Sequence, residues 1–328
     1  MIRTIRMTAL EGLCLAALAL GGAACTEDFP PYNRLEALRV LAIQSEPVAP
    51  AFGETTTLTP LVHTAAGEAV TYAWSWCPFA GGANDGYPCL VSEEQLRAQL
   101  GAAGANLPPF DLGTGPTASF THTLDPAALA PLCAATLPPG LAPFPLSLDC
   151  KEGFPISIKL VVSTPTDTIT SVRSLDLRLD PSTPPNTNPR MTNLVALLPV
   201  PGFPERRTTA PFDAVGTVVL PRRVETTIQV TVDPTSSEPF VDKNERNEDI
   251  PANERLFLTW FVESGSTDDE RTSFLPGLTN LLEATINGWR PASVEDYAPA
   301  TSRIYVVVRD NRGGVSWLSG LATLGAEP

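Results

Sequence analysis

Two histidines, His63 and His122, are the only imidazoles in this chain of 328 residues. Hydrolysis by a Ser-His-Asp site needs an imidazole that accepts the proton of the nucleophile. His63 ends a candidate strand beside Thr64, and His122 stands between Thr121 and Thr123. These settings are typical of solvent-facing strand positions, so we expect both histidines at the surface and predict no catalytic residue.

An acidic segment in the second half contains the oxygen-bearing residues that a metal site needs. Calcium takes about six to eight oxygen ligands from carboxylates and carbonyls. Lysine and arginine are interspersed in this segment, and the central glycine of an EF-hand loop is absent. The pattern favours a solvated polar loop, and we predict no cofactor. The weaker calcium hypothesis rests on Asp242, Asn244, Glu248 and Asp249.

The five tryptophans of the chain could form a carbohydrate-binding platform where they are exposed. Trp74, Trp76 and Trp260 lie in apolar segments with strand-like alternation, which predicts core positions for them. Trp289 lies in a less regular segment. The weak candidate for a surface that binds a glycan or a peptide is therefore the region around Trp289. No pair of carboxylates stands out as the acid and base of a glycosidase.

The amino-terminal residues have the order of an export signal. Arg3 and Arg6 form a positive head, residues 13–24 are apolar and end in small side chains, and Cys25 follows. This order is that of a secretory signal peptide, and the apolar run is too short to cross a membrane. Residues 22–25, Gly-Ala-Ala-Cys, resemble the lipobox of bacterial lipoproteins, with glycine where that family usually has leucine.

The lipobox resemblance implies where the protein is held. It implies that residues 1–24 are removed and that Cys25 carries the acyl chains, palmitate among them, that anchor the protein. Bacterial lipoproteins bear more than one chain, and a single chain gives only marginal anchoring. Thr26 follows Cys25, in place of the aspartate that retains many lipoproteins at the inner membrane. The resemblance therefore favours the outer membrane, with the protein facing the periplasm or the exterior.

Four further cysteines, Cys77, Cys89, Cys133 and Cys150, follow Cys25 in the exported part of the chain. An even number of cysteines in an exported protein predicts disulfides, although several pairings are open and free thiols are the alternative. Short loops close most readily, because closure entropy grows with loop length. We therefore expect Cys77–Cys89 and Cys133–Cys150.

Charge and composition narrow the range of partners. The formal net charge is −14, so nucleic-acid phosphates and anionic headgroups repel the chain. We expect no nucleic-acid binding, and we expect membrane contact through the lipid alone. The chain has 34 prolines and 43% hydrophobic residues, which indicates a strand-rich, loop-rich protein that can bury a core.

Alternating apolar residues predict strands in both halves. Residues 70–77 alternate aromatic and small side chains, and residues 256–262 repeat the pattern around Trp260. With residues 38–62 and 304–317, these segments resemble the tandem immunoglobulin-like domains of bacterial surface lipoproteins, including predicted ones of the myxobacterial type. The resemblance implies an all-β fold of two β-sandwiches, each with a buried tryptophan on a central strand.

The predicted domain organisation follows from these segments and from a proline-rich stretch between them. Residues 180–189 offer no large apolar side chain, so we expect few contacts between the two halves. The predicted parts are a signal peptide (1–24), a lipidated tether (25–35), a first immunoglobulin-like domain (36–180) with a disulfide-bearing insertion of short helices (about 78–153), a proline-rich linker (181–192) and a second immunoglobulin-like domain (193–328).

These features favour a non-enzymatic, lipid-anchored protein of the cell envelope that acts as a structural or protein-binding module. Its expected partner is an envelope protein or a glycan. The first alternative is a glycan- or peptide-binding surface lipoprotein. A carboxylate-based hydrolase is the less favoured alternative, because no residues can be nominated for its site.

Overall fold

The computed structural model describes residues 31–64, 68–134, 150, 152–182, 184–244, 246 and 248–327. The signal peptide, Cys25 and most of the predicted tether lie outside the described residues. The described chain consists mainly of strands with a few short helices, which confirms the all-β prediction. None of the helices in this part of the chain has the length and apolar character needed to span a membrane.

The amino-terminal sandwich has two sheets around one apolar core. Its strands are β1 (Arg39–Glu46), β2 (Thr55–His63), β3 (Thr71–Cys77), β4 (Asp111–Gly113), β5 (Ala118–Thr121), β6 (Phe154–Ser163) and β7 (Thr168–Leu177). They form sheets in the orders β1-β2-β5 and β4-β3-β6-β7. Every second residue of β6 is buried, as period-two alternation requires of a strand with one face in the core. Trp74 and Trp76 of β3 share that core with Leu58 and Phe120 from the other sheet.

The segment expected to be an insertion contributes strands to the sandwich as well as helices. β4 and β5 lie within residues 78–153, and Phe120 of β5 is buried in the core. The rest of the described segment contains helices α1 (Glu93–Leu100) and α2 (Pro126–Ala134). Ser92 caps α1, because its Oγ accepts the Gln95 N–H at 3.2 Å while Gln95 Oε1 accepts the Ser92 N–H at 2.9 Å.

Two disulfides brace this irregular segment. Cys77–Cys89 joins the end of β3 to the loop before α1, and Cys133–Cys150 joins α2 to the chain before β6. The Cα–Cα distance is 5.7 Å in both. This is the pairing that short-loop closure favours. A disulfide of this kind contributes about 2–4 kcal/mol to stability, here in a segment with few strands to hold it.

The carboxy-terminal sandwich also has two sheets around one core. Its elements are β8 (Met191–Val200), β9 (Phe203–Pro211), β10 (Val218–Leu220), β11 (Thr226–Val232), β12 (Pro239–Lys243), β13 (Asp249–Asn253), β14 (Leu256–Val262), β15 (Ser266–Thr267), β16 (Arg271–Phe274), α3 (Leu281–Ala284), β17 (Ile286–Arg290), β18 (Thr301–Asp310) and β19 (Val315–Leu324). The sheets have the orders β10-β19-β18-β14-β16 and β15-β17-β11-β8-β9. Strands β12 and β13 form a separate hairpin.

A third apolar cluster joins the two sandwiches. Leu41 and Leu61 of the sheet β1-β2-β5 pack against Phe261, Tyr305 and Val307 of the sheet that contains β14 and β18. The expectation of few contacts between the halves is therefore wrong, because β14 and β18 carry apolar side chains on both faces. The described residues from 33 to 327 belong to one compact unit. The domain boundaries themselves stay a prediction.

Polar groups complete this junction. The Arg173 guanidinium donates to the backbone carbonyls of Ile43 at 2.7 Å and of Gly313, and thus links the two sandwiches. Asn188, from the proline-rich stretch, donates to the Ser45 carbonyl at 2.9 Å and accepts the Val315 N–H at 2.8 Å. The proline-rich stretch, which we expected to act as a linker, is therefore part of the interface between the two sandwiches.

Candidate functional site

His63 lies at the junction of the two sandwiches and is 4% exposed. Its Nδ1 is 3.5 Å from the Tyr305 hydroxyl and 3.6 Å from Glu263 Oε1. Burial, with the charges of Arg303 and Arg39, lowers the pKa of His63 from 6.5 to about 4. The prediction of a surface histidine is wrong, because the second sandwich covers the end of β2.

His122 is fully buried, directly after β5. Its ring meets the Phe52 ring edge-on at a centroid distance of 5.9 Å, and neither ring nitrogen has a hydrogen-bond partner among the described residues. Burial lowers the pKa of His122 from 6.5 to about 4. The surface prediction is wrong here too: His122 continues the alternation of Ala118 and Phe120 into the core.

Trp289 is fully buried in the core of the carboxy-terminal sandwich, so it cannot form a ligand platform. Its indole Nε1 donates to the Ser264 carbonyl at 2.8 Å. Pairing with Thr226 in the central strand β11 directs the ring inward. The expectation of a binding surface around Trp289 is wrong, because the segment that looked irregular in sequence is a paired strand.

The acidic segment forms the β12–β13 hairpin and the turn that connects its strands. Lys243 forms an ion pair with Asp249. Asn244 Oδ1 accepts the Arg246 and Glu248 N–H groups at 2.9 and 3.0 Å, and Asn244 Nδ2 donates to Glu248 Oε2 at 2.8 Å. The candidate calcium ligands thus form hydrogen bonds and an ion pair within the hairpin and its turn. In the described ranges no three His, Cys, Asp or Glu side chains converge as metal ligands.

A cleft lies beneath this hairpin, and we name it the hairpin cleft. Its main chamber has a volume of about 820 Å³ and is bounded by the hairpin on one side and by the loop after β16 on the other. Most of the lining residues are apolar, although polar atoms make up a substantial part of the exposed wall. The apolar residues are Pro239, Phe240, Pro251, Ala252, Leu275, Pro276, Gly277 and Leu278, and the polar ones are Asp242, Asn253 and Arg255.

A second chamber of about 460 Å³ adjoins the first and reaches the amino-terminal sandwich. Phe240, Asp242 and Arg255 line both chambers. The second chamber is polar, since its other walls include Glu152 and Asp176. The hairpin cleft is therefore more apolar at its end on the carboxy-terminal sandwich and more polar at its end at the junction.

Exposed apolar side chains occur at the hairpin cleft and on the hairpin itself. Leu278, which lines the main chamber, is 82% exposed. Val241 and Ile250 of the hairpin are 63% and 39% exposed, and the strand register places them on opposite faces of the hairpin. A large exposed apolar residue at a cavity is typical of a surface that binds another molecule.

A buried ionic network fixes the floor of the polar chamber. Arg312 donates to Glu152 Oε2 at 2.8 Å and to Glu254 Oε1 at 3.1 Å. The Arg312 guanidinium also lies over the Phe240 ring, 5.1 Å from its centroid. Glu254 Oε2 accepts the Glu238 N–H at 3.2 Å. One arginine thus connects the hairpin, the β18–β19 turn and the amino-terminal sandwich.

Glu254 is the carboxyl most altered by this setting. Burial and the nearby Asp310 carboxylate raise the pKa of Glu254 from 4.5 to about 7, against the opposing effects of the Glu238 N–H and the Arg312 guanidinium. Such a pKa suits a general acid. Glu254 is, however, 0% exposed, and its oxygens bind Arg312 and the Glu238 backbone. We therefore assign it to the support of the hairpin.

Comparisons with known proteins add little to this description. The chain matches no protein-family model and no curated protein. Among solved structures, a chimeric titin Z1Z2 carrying an exogenous decorin peptide is 15% identical, with 89% of this chain and 98% of that chain covered and a TM-score of 0.19. The three N-terminal domains of the outer capsid protein Hoc of bacteriophage RB49 are 10% identical, with coverages of 89% and 71% and a TM-score of 0.21. Scores this low assign neither fold nor function.

Proposed function

We propose that this protein is a lipid-anchored, non-enzymatic protein-binding module of the cell envelope, built from two immunoglobulin-like sandwiches. The hairpin cleft is its binding surface. The observation that carries this proposal is a cleft of about 820 Å³ whose wall contains Phe240, Leu275 and the 82% exposed Leu278.

Two further features support the proposal. The pair of disulfides suits an oxidising compartment outside the cytoplasm, in agreement with the signal-peptide pattern. Arg312 holds the hairpin and both sandwiches in one arrangement, so the cleft is preformed. A preformed surface binds with a smaller loss of conformational entropy.

The binding surface is tested by site-specific photo-crosslinking in the native organism. A photoreactive amino acid replaces Leu278, which lines the cleft, in the full chain, and a matched variant carries it at Val219, which is 55% exposed on β10. We expect a discrete covalent adduct from position 278 and none of the same mass from position 219. Identical adducts from both positions, or none from position 278, would contradict the assignment of the cleft.

The anchor is tested separately by mass spectrometry of the membrane-extracted protein. We expect an amino-terminal Cys25 that carries acyl chains. A Cys25→Ser variant should leave the membrane fraction, because the chain has a net charge of −14 and no basic segment to replace the lipid. A soluble wild-type protein with an unmodified amino terminus would contradict the anchor.

A further inference from the structure

We propose that the hairpin cleft recognises an extended peptide segment in which a carboxylate stands beside an apolar side chain, with Arg255 as the residue that binds the carboxylate. This inference rests on the proposed protein-binding function and specifies the chemistry of the partner. Three observations carry it: the setting of Arg255, the nature of the cleft wall, and the open edges of the hairpin.

Arg255 stands where the two chambers meet. Its backbone N–H donates to Asn311 Oδ1 at 2.7 Å, which fixes the main chain at the start of β14. Its side chain is exposed and lines both chambers, and within the described residues its guanidinium has no hydrogen bond or ion pair. A guanidinium in such a place is ready to bind a carboxylate with two parallel hydrogen bonds.

The other cation of the cleft already has partners. Arg312 is bound by Glu152 and Glu254. The Asp242 carboxylate, which accepts the Lys243 backbone N–H at 2.6 Å, lines both chambers together with Arg255. Among the described residues that line the main chamber, Arg255 is the cation, and a carboxylate of the partner binds there. The chain has a net charge of −14, so its overall field repels an acidic partner. The positive charge of Arg255 is complementary to a carboxylate only locally, at the cleft.

The wall beside Arg255 supplies the apolar half of the recognition. Phe240, Pro251, Leu275 and Pro276 line the main chamber, and Leu278 extends it to the rim. These side chains can cover an apolar residue of the peptide while Arg255 binds its acidic neighbour. Burial of the apolar residue also excludes water from the ion pair, which strengthens it.

The hairpin favours an extended partner over a compact one. Within the described structure, β12 pairs with β13 and with no other strand, so the outer edges of this small sheet are open. A two-stranded hairpin gains stability from a further strand, and an extended peptide can supply one by backbone hydrogen bonding. The cleft then selects the side chains, and the hairpin edge holds the backbone.

The test uses the full chain in detergent and a library of soluble random heptapeptides as the probe. We expect enrichment of peptides that contain Asp or Glu next to Leu, Val, Ile or Pro. Selection with Arg255→Glu should no longer enrich these peptides. Arg246→Glu is the matched control, because it makes the same charge change on the turn of the same hairpin, outside the residues that line the cleft. Arg246→Glu should retain the set.

The strongest peptide is then measured by fluorescence anisotropy beside a version with Asn in place of its Asp. We expect the Asn version to bind wild type at least about tenfold more weakly, since a charge-assisted hydrogen bond is lost. Against Arg255→Glu, the Asn version should bind at least as well as the Asp version, because two carboxylates repel each other. Arg255→Lys should restore part of the preference, because it keeps the charge without the fork of donors.

Three results would overturn the inference: enrichment of peptides with Lys or Arg, which would assign selection to Asp242; retention of the acidic set by Arg255→Glu; or no enrichment at all. Each is separable from failure of the proposed function. A specific crosslink at position 278 with any of these results would leave a binding module whose partner has another chemistry.

Discussion

The core of the carboxy-terminal sandwich and the junction between the two sandwiches are both buried, but they are built from different groups. The core contains aliphatic side chains and two tryptophans, whose N–H groups bond to nearby protein oxygens. The junction also contains Arg173, Arg312 and Glu254. Arg312 pairs with Glu152 and Glu254, and Arg173 donates to backbone carbonyls. The core therefore depends on packing, whereas the junction depends on charged groups that bind specific partners. Stability should respond to shape in the first region and to pH and charge in the second.

The largest effect is expected in the core, from Trp260→Ala in the full chain. Trp260 is fully buried on the central strand β14, so the change removes a large apolar contact and leaves a cavity. We expect a loss of about 3–5 kcal/mol in the free energy of unfolding, measured by chemical denaturation. Val241→Ala, at an exposed apolar residue of the hairpin, should change this free energy by less than about 0.5 kcal/mol. Equal losses would mean that the core does not depend on packing around Trp260.

At the junction, Arg312→Met should also lower the free energy of unfolding, but through the loss of a charged partner and not through the loss of packing. The variant keeps much of the side-chain volume and leaves Glu254 and Glu152 without their cation. At about pH 8, where the Glu254 carboxyl is ionised, we expect a loss of about 3 kcal/mol, because removal of one member of a buried ion pair leaves an uncompensated charge. Arg246→Met, on the exposed turn of the hairpin, should have no measurable effect. A neutral result for Arg312→Met would show that packing alone holds the junction.

Glu254→Gln should change the pH dependence of stability. The folded state holds the Glu254 proton up to about pH 7, whereas a pKa of 4.5 describes the carboxyl without these contacts. The folded state thus binds more protons between these values, and stability falls as pH rises through this range. Over this pH range, the free energy of unfolding of Glu254→Gln should fall by about 3 kcal/mol less than that of wild type. Chemical denaturation at a series of pH values measures this difference. A slope identical to that of wild type would assign the titration to another group.

His122→Phe should change the pH dependence in the opposite sense and by a smaller amount. The folded pKa of about 4 lies below the ordinary value of 6.5, so the unfolded state binds more protons between them. Wild type therefore loses stability as pH falls from about 6.5 towards 4, and by pH 5 the loss is about 2 kcal/mol. The variant should resist acid better than wild type in this range. If both proteins lose stability equally, His122 is already charged in the fold.

The elements that sequence analysis predicted well are those with local causes. The alternation in β3 and β14 places Trp74, Trp76 and Trp260 in the cores, where the structure has them. The Ser92 capping box and the close spacing of Cys77 and Cys89 also act over few residues. Each of these signals depends on side chains that meet within one strand, one turn or one short loop.

The candidate site was predicted less well, because its residues come from distant parts of the chain. The sequence drew attention to the acidic residues of the hairpin but not to Arg255, which no motif distinguishes. The hairpin cleft needs the loop at Leu275–Leu278 and the amino-terminal sandwich as its other walls. A hint was available in Val241 and Ile250, two apolar residues in an otherwise polar segment.

Periodicity and spacing act within short stretches of the chain, and they are sufficient to predict the all-β class, the tryptophan-centred cores and the short loops that the disulfides close. The burial of histidine and arginine side chains depends on contacts between residues far apart in the chain. His63 meets Tyr305 across 242 positions, and Arg312 meets Glu152 across 160. The surface that covers His63 and Arg312 includes side chains of the other sandwich, whereas His122 is buried within its own. Arg255 lies at the open cleft, where the structure shows no partner for its guanidinium among the described residues.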